Sequence, residues 1–253
     1  MTKVLNASSS VILAPSEAPP GRGKLIGVRG VIGVCGFIGS GKGSFADALT
    51  DSGLYRKVSF ADHLKDVVAL LYGWDRELLE GDTEDSRKWR EEIDGRWDIT
   101  PRSALQQVGV CMRDIDPDFW VTHLGSRVDM RDDINYVIPD TRFYNEFEMI
   151  RKAGGLIVEV VGGPRPEWWN EAIRINQLRK YGRSTSMNHM QVQNFSDKMN
   201  QETAKFNKNY PGVHISEWGW AGESIDVTIN NDGTEEELAQ LAMDIAKGDK
   251  TLT

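Results

Sequence analysis

Gly36-Phe37-Ile38-Gly39-Ser40-Gly41-Lys42-Gly43-Ser44 follows an apolar run, Val28 to Val34, and leads into Phe45-Ala46-Asp47-Ala48-Leu49, which has helical character. Strand, glycine-rich turn, then helix is the setting in which Gly-x4-Gly-Lys reads as a phosphate-binding loop. The glycines let the backbone wrap a polyphosphate with several N–H groups pointing inward. The positive end of the following helix and the Lys42 ammonium add charge stabilisation.

Gly43 stands where many such loops carry the Ser or Thr that touches magnesium. Gly-Ser-Gly-Lys-Gly-Ser resembles the loop of adenylate kinase and other small-molecule phosphotransferases. That likeness favours a donor-nucleotide kinase over a GTPase or motor ATPase. Ser44 is then expected on a donor phosphate, with magnesium held by phosphate oxygens, water and an acidic side chain.

The chain has 253 residues, 40% of them hydrophobic and 27% charged, which suits one globular domain with a substantial core. A net charge of −8 argues against a broad basic surface for nucleic acid, though not against a local phosphate pocket. Cys35 and Cys111 read as buried thiols in a reducing cytoplasm rather than a disulfide framework. No apolar run reaches the ~18 residues needed to span a membrane, and Val11-Ile12-Leu13-Ala14 is too short for a signal-peptide core.

Residues 1–24, rich in Ser, Ala, Pro and Gly, read as a flexible extension preceding a domain over 25–253. Lys57-Val58-Ser59-Phe60 is a strand candidate, and Leu64, Val67, Val68 and Leu71 have helical spacing. Thr100-Pro101 opens a helix, and another runs from Asp118 to Val128. Tyr136-Val137-Ile138-Pro139 and Leu156 to Val161 are buried strands flanking a helix from Phe143 to Ala153 that Gly154-Gly155 ends. Asp226 to Ile229 is the last strand, and Thr234 with Glu237 caps a final helix. Buried strands alternating with helices imply an α/β, three-layer P-loop NTPase fold around a parallel sheet. Within it, residues 62–130 read as a mainly helical region, the expected acceptor-binding part if the domain is a kinase. Residues 162–212 are polar and too long for a connection, so they read as an enlarged lid or folded insertion.

Phosphoryl transfer needs cations beyond the loop lysine. Asp140 and Arg142 directly follow a strand, at the end of the sheet where ligands of open α/β folds sit. The carboxylate can organise hydrated magnesium or a hydroxyl, and the guanidinium can grip a phosphate; a structural Asp–Arg pair is the plain alternative.

Several blocks together resemble the deoxynucleoside monophosphate kinases of tailed phages. They are the loop, Ser59 to Lys65, Thr100-Pro101-Arg102 through Gly109, Asp116 to Val121, Asp140 to Glu146, and Ile150 to Val160. His214-Ile215-Ser216-Glu217 and Ile229 to Thr234 follow in the expected order. The resemblance implies transfer of the ATP γ-phosphate to a deoxynucleoside 5′-monophosphate with Mg2+. It implies that the loop, Gly36 to Ser44, holds the donor phosphates and that Arg102 holds the acceptor phosphate. Asp62 and Lys65 are then near the acceptor, Arg142 beside its phosphate, and His214, Ser216 and Glu217 at the cleft. Asn231 and Asp232 fall where related kinases contact the donor adenine. It further implies small-molecule nucleotide partners and a host-cell cytoplasmic setting; a homodimer is possible, and the sequence does not fix the oligomeric state.

The link from Pro166 to His214 exceeds the family's. Arg174, Arg179 and Arg183 are the lid cations expected to reach the phosphates on closure. Asp62 as an N-cap, Lys65 on a solvated face and His214 as a half-buried histidine are the plain readings. Trp168-Trp169 read as an exposed-helix anchor or oligomer contact, with base stacking the alternative, and Trp74, Trp89 and Trp97 as packing. Two rival functions remain. A kinase of hydroxymethylated bases within DNA would use Asp62 or Asp140 as base, and an ATP-binding regulatory module would transfer nothing.

Overall fold

The computed structural model describes residues 4–5, 30–128, 134–184 and 186–248. Its strands are β1 (Val4–Leu5), β2 (Val31–Cys35), β3 (Tyr55–Lys57), β4 (Asn135–Ile138), β5 (Leu156–Val161) and β6 (Val227–Asn230). They form one sheet in the order β1-β6-β5-β2-β4-β3, and every pairing is parallel. Successive side chains of a strand point to opposite faces, so each apolar run supplies two cores. Ile32, Val34, Val158 and Val160 meet α1 (Lys42–Asp51) and α10 (Glu235–Lys247) through Phe45, Leu49, Leu238 and Ile245. Val31, Cys35, Ile138 and Ile157 meet α6 (Tyr144–Lys152) and α5 (Phe119–Arg127) through Phe147, Ile150 and Leu124. A sheet buried on both faces is what the largely apolar Val/Ile/Leu runs require. The α/β P-loop architecture read from the sequence is therefore the observed one.

α2 (Asp62–Tyr72), α3 (Glu84–Trp89) and α4 (Pro101–Ile115) pack beside the sheet around Val68, Trp74, Leu79, Ala104 and Leu105. Thr100 caps α4 as its position before Pro101 implies, accepting from the Ser103 N–H at 3.1 Å. Tyr72, Trp74, Trp89 and Trp97 form one ring cluster, so the packing reading of these tryptophans stands.

The polar segment expected as a lid is a helical hairpin, α7 (Trp169–Ser184) and α8 (His189–Asn209). It has its own core of Ala172, Ile175, Met199 and Phe206, closed by Trp218 and Ala221 next to α9 (Ile215–Trp218). Gly182 lies against Phe195, where an added Cβ would fall 2.2 Å from the ring, so the two helices approach closely there.

Some expectations shift. The strand placed at Lys57 to Phe60 ends at Lys57, because the chain turns at Ser59 to form the loop described below. Cys111 is exposed on α4, not buried, whereas Cys35 is buried. Within the segment read as a flexible extension, Val4–Leu5 pairs with β6; the rest of residues 1–24 lies outside the described residues. Trp168 and Trp169 are half-buried: they pack edge-on against Phe37 of the glycine loop, at 5.7 and 5.3 Å between ring centroids, rather than standing as an exposed anchor.

Phe206 is fully buried between the hairpin and Trp218. Phe206→Ala should destabilise the protein by about 3–5 kcal/mol. Thermal unfolding reads this directly, and an unchanged melting temperature would contradict a cooperative hairpin core.

Candidate active site

Because all strands run parallel, their carboxyl ends share one edge of the sheet. Five segments leave that edge: 36–41 after β2, 58–61 after β3, 139–143 after β4, 162–168 after β5 and 231–234 after β6. Residues distant in sequence are thereby brought to one place.

The glycine loop has left-handed or extended glycine geometry at Gly36 (φ 144°), Gly39 (φ 77°) and Gly41 (φ 96°). At Gly36 and Gly41 a Cβ would also collide, 2.3 Å from the Val160 carbonyl oxygen and 2.4 Å from Asn231 Nδ2. The loop is thus clamped between the ends of β5 and β6. Asn231 donates from Nδ2 to the Ser40 carbonyl at 3.0 Å, and its own N–H donates to Val161 O at 2.7 Å. In the free protein this asparagine braces the loop, while Asp232 beside it is exposed. Ser40 is buried, and its Oγ has no hydrogen-bond partner. Phe37, Ile38, Gly43 and Ser44 complete the loop and open α1. Clamped glycines, an α1 N-terminus and an unsatisfied Ser40 hydroxyl fit a polyphosphate.

Lys42 folds back over the loop and donates from Nζ to the Phe37 carbonyl at 2.7 Å. Its pKa is lowered to about 8, first by burial and then by the neighbouring Arg142 charge, while Glu217, Cys35 and Asp140 pull the other way. Lys42 and Arg142 therefore face the same space. Arg142 lies 4.0 Å from Glu217. Glu217 follows His214, whose Nδ1 accepts from the Ser216 N–H at 3.2 Å and lies 2.9 Å from Ser216 Oγ. Burial lowers the His214 pKa, and Arg142 and Arg113 add to the effect. His214 is thus both a satisfied, half-buried cap and a neighbour of Arg142.

Asp140 has a more specific structural task than an Asp–Arg pair. Its carboxylate accepts from Ser59 Oγ at 2.7 Å, from the Phe60 N–H at 3.2 Å and from the Ala61 N–H at 3.0 Å. It straps the turn before α2 to the end of β4. Asp62 is the first residue of α2 rather than its N-cap, and its Oδ2 accepts from the Ser59 N–H at 3.1 Å. Burial and the adjacent Asp140 raise the Asp62 pKa. Lys65 is paired with Glu80, which also holds Arg76, so the solvated-face reading of Lys65 fails. Arg102 is paired with Glu91.

Sequence reasoning missed three groups. Glu146 is fully buried and accepts from the Arg142 N–H at 2.6 Å, the Phe143 N–H at 3.0 Å and Arg113 Nη2 at 2.9 Å. Burial raises its pKa to about 7. Its place at the third residue of a helix was a legible capping signal. Arg113 stacks 3.9 Å over Phe143. Arg90 lies near Arg102 and Arg142, whose charges, after burial, lower its pKa; nothing in Arg87-Lys88-Trp89-Arg90 distinguishes it from a solvated run.

Of the lid candidates, Arg174 pairs with Glu202 at 2.6 Å on the hairpin's own surface. Arg179 stacks 4.8 Å from the Trp218 ring and donates to Thr203 Oγ1 at 3.2 Å. The Arg183 side chain lies outside the described residues. The cation that the structure does bring to the loop from this region is Arg165. It pairs with Glu159 at 2.5 Å and lies 5.8 Å from the Phe37 ring. Among the described residues no group of three or more His, Cys, Asp or Glu forms a metal cage. A hard cation such as magnesium normally brings waters and substrate phosphates to one or two carboxylates; Asp140 and Asp62 are two of the carboxylates at this edge, alongside Glu159, Glu217 and Asp232. No described helix is long and apolar enough to cross a membrane.

No family model matches the chain. A candidate deoxynucleotide monophosphate kinase of Acanthamoeba polyphaga mimivirus is 32% identical over 146 residues, covering 51% of this chain and 72% of that protein. Among solved structures, the dephospho-CoA kinase from Campylobacter jejuni is similar at 10% identity and TM-score 0.37, over 87% of this chain and 98% of that one. A gluconokinase from Sinorhizobium meliloti 1021 is similar at 16% identity and TM-score 0.35, over 85% and 90%. The assignment of the fold rests on sheet order and loop geometry, not on these distant superpositions.

The Lys42–Arg142 proximity gives a pH prediction. Removing the Arg142 charge in Arg142→Gln removes a term that lowers the Lys42 pKa, so its midpoint should move up from about 8. The pH profile of Lys42 labelling by an amine reagent, read by peptide mass spectrometry, measures it. A midpoint that stays put would mean the two charges do not share a site.

Proposed function

Because the chain belongs to the deoxynucleotide monophosphate kinase family, we propose that it transfers the γ-phosphate of ATP, with Mg2+, to a deoxynucleoside 5′-monophosphate. The observation that supports the reading is the clamped glycine loop with the unsatisfied Ser40 hydroxyl, beside which the Lys42 and Arg142 charges act on one another while Arg102 and Arg142 act on Arg90. Like charges brought together are unfavourable unless anions offset them; Glu217 and Glu91 do so in part beside Arg142 and Arg102, and a phosphate would do so more fully. A donor polyphosphate and an acceptor phosphate lying end to end are such anions.

In this scheme the amides of residues 36–44 and Lys42 hold the donor phosphates, with Asn231 keeping the loop in shape. Arg142 lies between donor and acceptor, oriented by Glu146 through its backbone N–H. Arg102 and Lys65, released from Glu91 and Glu80, take the acceptor side, and His214 and Glu217 line the cleft beside Arg142. Magnesium, carried by the phosphates, supplies charge neutralisation, with Asp140 or Asp62 touching its water shell. The acceptor oxygen is already ionised at neutral pH, so alignment and charge stabilisation suffice and no strong base is required. The hairpin over residues 162–212 is the lid of this scheme, and Arg165 is its cation nearest the loop. Supply of viral DNA precursors in a host cytoplasm, in the manner of the tailed-phage enzymes, is the proposed setting.

Steady-state kinetics with ATP and the four common deoxynucleoside monophosphates tests this. At least one should be converted to its diphosphate. Lys42→Ala and Arg142→Ala should each lower kcat by about 10²–10³ or more, the loss typical of a transition-state charge contact. No turnover with any of the four would refute the reading, and transfer only to modified duplex DNA would move the assignment to the polymer.

A further inference from the structure

Arg90 ends α3, and its position is fixed by contacts that leave part of its charge unused. Its carbonyl accepts the Arg102 N–H at 3.0 Å, so the corner after α3 is docked onto the first turn of α4. Nη1 donates to the Glu80 carbonyl at 3.1 Å. The guanidinium lies against Gly81, where an added Cβ would fall 1.9 Å from Nη1, so any side chain there would have to displace it. Nε is buried and has neither a protein partner nor access to solvent. A charged donor left this way is unfavourable, and in native proteins it asks for an explanation.

The carboxylates that could neutralise it already have other partners. Glu80 holds Lys65 and Arg76, and Glu91 holds Arg102. Arg102 and Arg142 are close enough that both charges act on Arg90. The corner thus carries an excess of positive charge around an unsatisfied N–H, beside the helix N-terminus of α4.

We propose that Arg90 is a direct ligand of the acceptor's phosphate, completing with Arg102 and Arg142 a three-guanidinium socket for the dianion of a phosphate monoester. The inference rests on the kinase reading but makes a separate claim, that this corner recognises the phosphate end of the acceptor and not its base. Planar guanidinium forks suit phosphate oxygens, and a lysine would supply a point charge without the fork. Arrival of the phosphate would draw Arg102 from Glu91 and uncover Arg90 Nε, which is closed to solvent in this arrangement.

Two measurements on the full chain test it. In kinetics, Arg90→Lys and Arg90→Gln should raise KM for the deoxynucleoside monophosphate at least tenfold while leaving KM for ATP within about twofold. A merely structural role would instead alter both constants together with the melting temperature. In thermal shift without ATP, 2-deoxyribose 5-phosphate should stabilise the wild type and not Arg90→Gln. 2-Deoxyribose should stabilise neither. This second readout holds even if none of the tested monophosphates is a substrate, so failure of the kinase reading and failure of the Arg90 assignment remain distinguishable. Equal stabilisation of wild type and Arg90→Gln by the sugar phosphate, or an unchanged acceptor KM, would overturn the proposal.

Discussion

Lys42 and Arg142 lie close enough at the edge of a sheet buried on both faces for each charge to act on the other, with Glu217 4.0 Å from Arg142, and the surrounding contacts hold both in place. Each is held by neutral backbone contacts as well as by its charge. Lys42 is fixed by the glycine loop and its bond to the Phe37 carbonyl. Arg142 is fixed through its backbone N–H by buried Glu146. Burial of the lysine, with Arg142 nearby, lowers its affinity for its proton, and an anion bound beside both charges would raise that affinity again. A phosphate placed between the two cations would offset their mutual repulsion.

The supporting contacts cross long sequence distances. Asp140 reaches Ser59 and Ala61, and Asn231 reaches Ser40. These side-chain bonds lock the loops leaving β3, β4 and β6 around the loop leaving β2. Phe37 adds an apolar link: it packs on Trp168, Trp169 and Trp220, while Arg165 covers the Trp169 ring at 4.6 Å. The root of the helical hairpin therefore rests directly on the phosphate loop. Movement of the hairpin would be felt at Phe37 without any intermediary.

The sheet was legible because parallel strands buried on both faces need largely apolar runs, and Tyr136–Ile138 and Leu156–Val161, interrupted only by Glu159, are such runs. Lys42, Asp140 and Arg142 were legible because their positions relative to a strand end carry meaning by themselves. The hairpin helices were not. Their apolar residues, such as Ala172, Ile175, Met199 and Phe206, are sparse and pack mainly within the hairpin and against Trp218, so the composition reads as polar loop. Lys65 and Arg102 could be named from sequence, yet their pairing with Glu80 and Glu91 depends on tertiary folding. Arg90 was invisible for the same reason: its meaning comes from Gly81, Glu80 and Arg102 closing around it.

The central claim is that two phosphate groups from different molecules are held in line by these convergent cations. Dinucleoside pentaphosphates in which adenosine is joined to each common deoxynucleoside test it most directly, by titration calorimetry. Joining two ligands that bind side by side makes the second contact intramolecular. At least one should bind a hundredfold or more tighter than ATP, with the gain lost in Arg142→Ala. Affinity no better than that of ATP for all four would contradict a shared, end-to-end site.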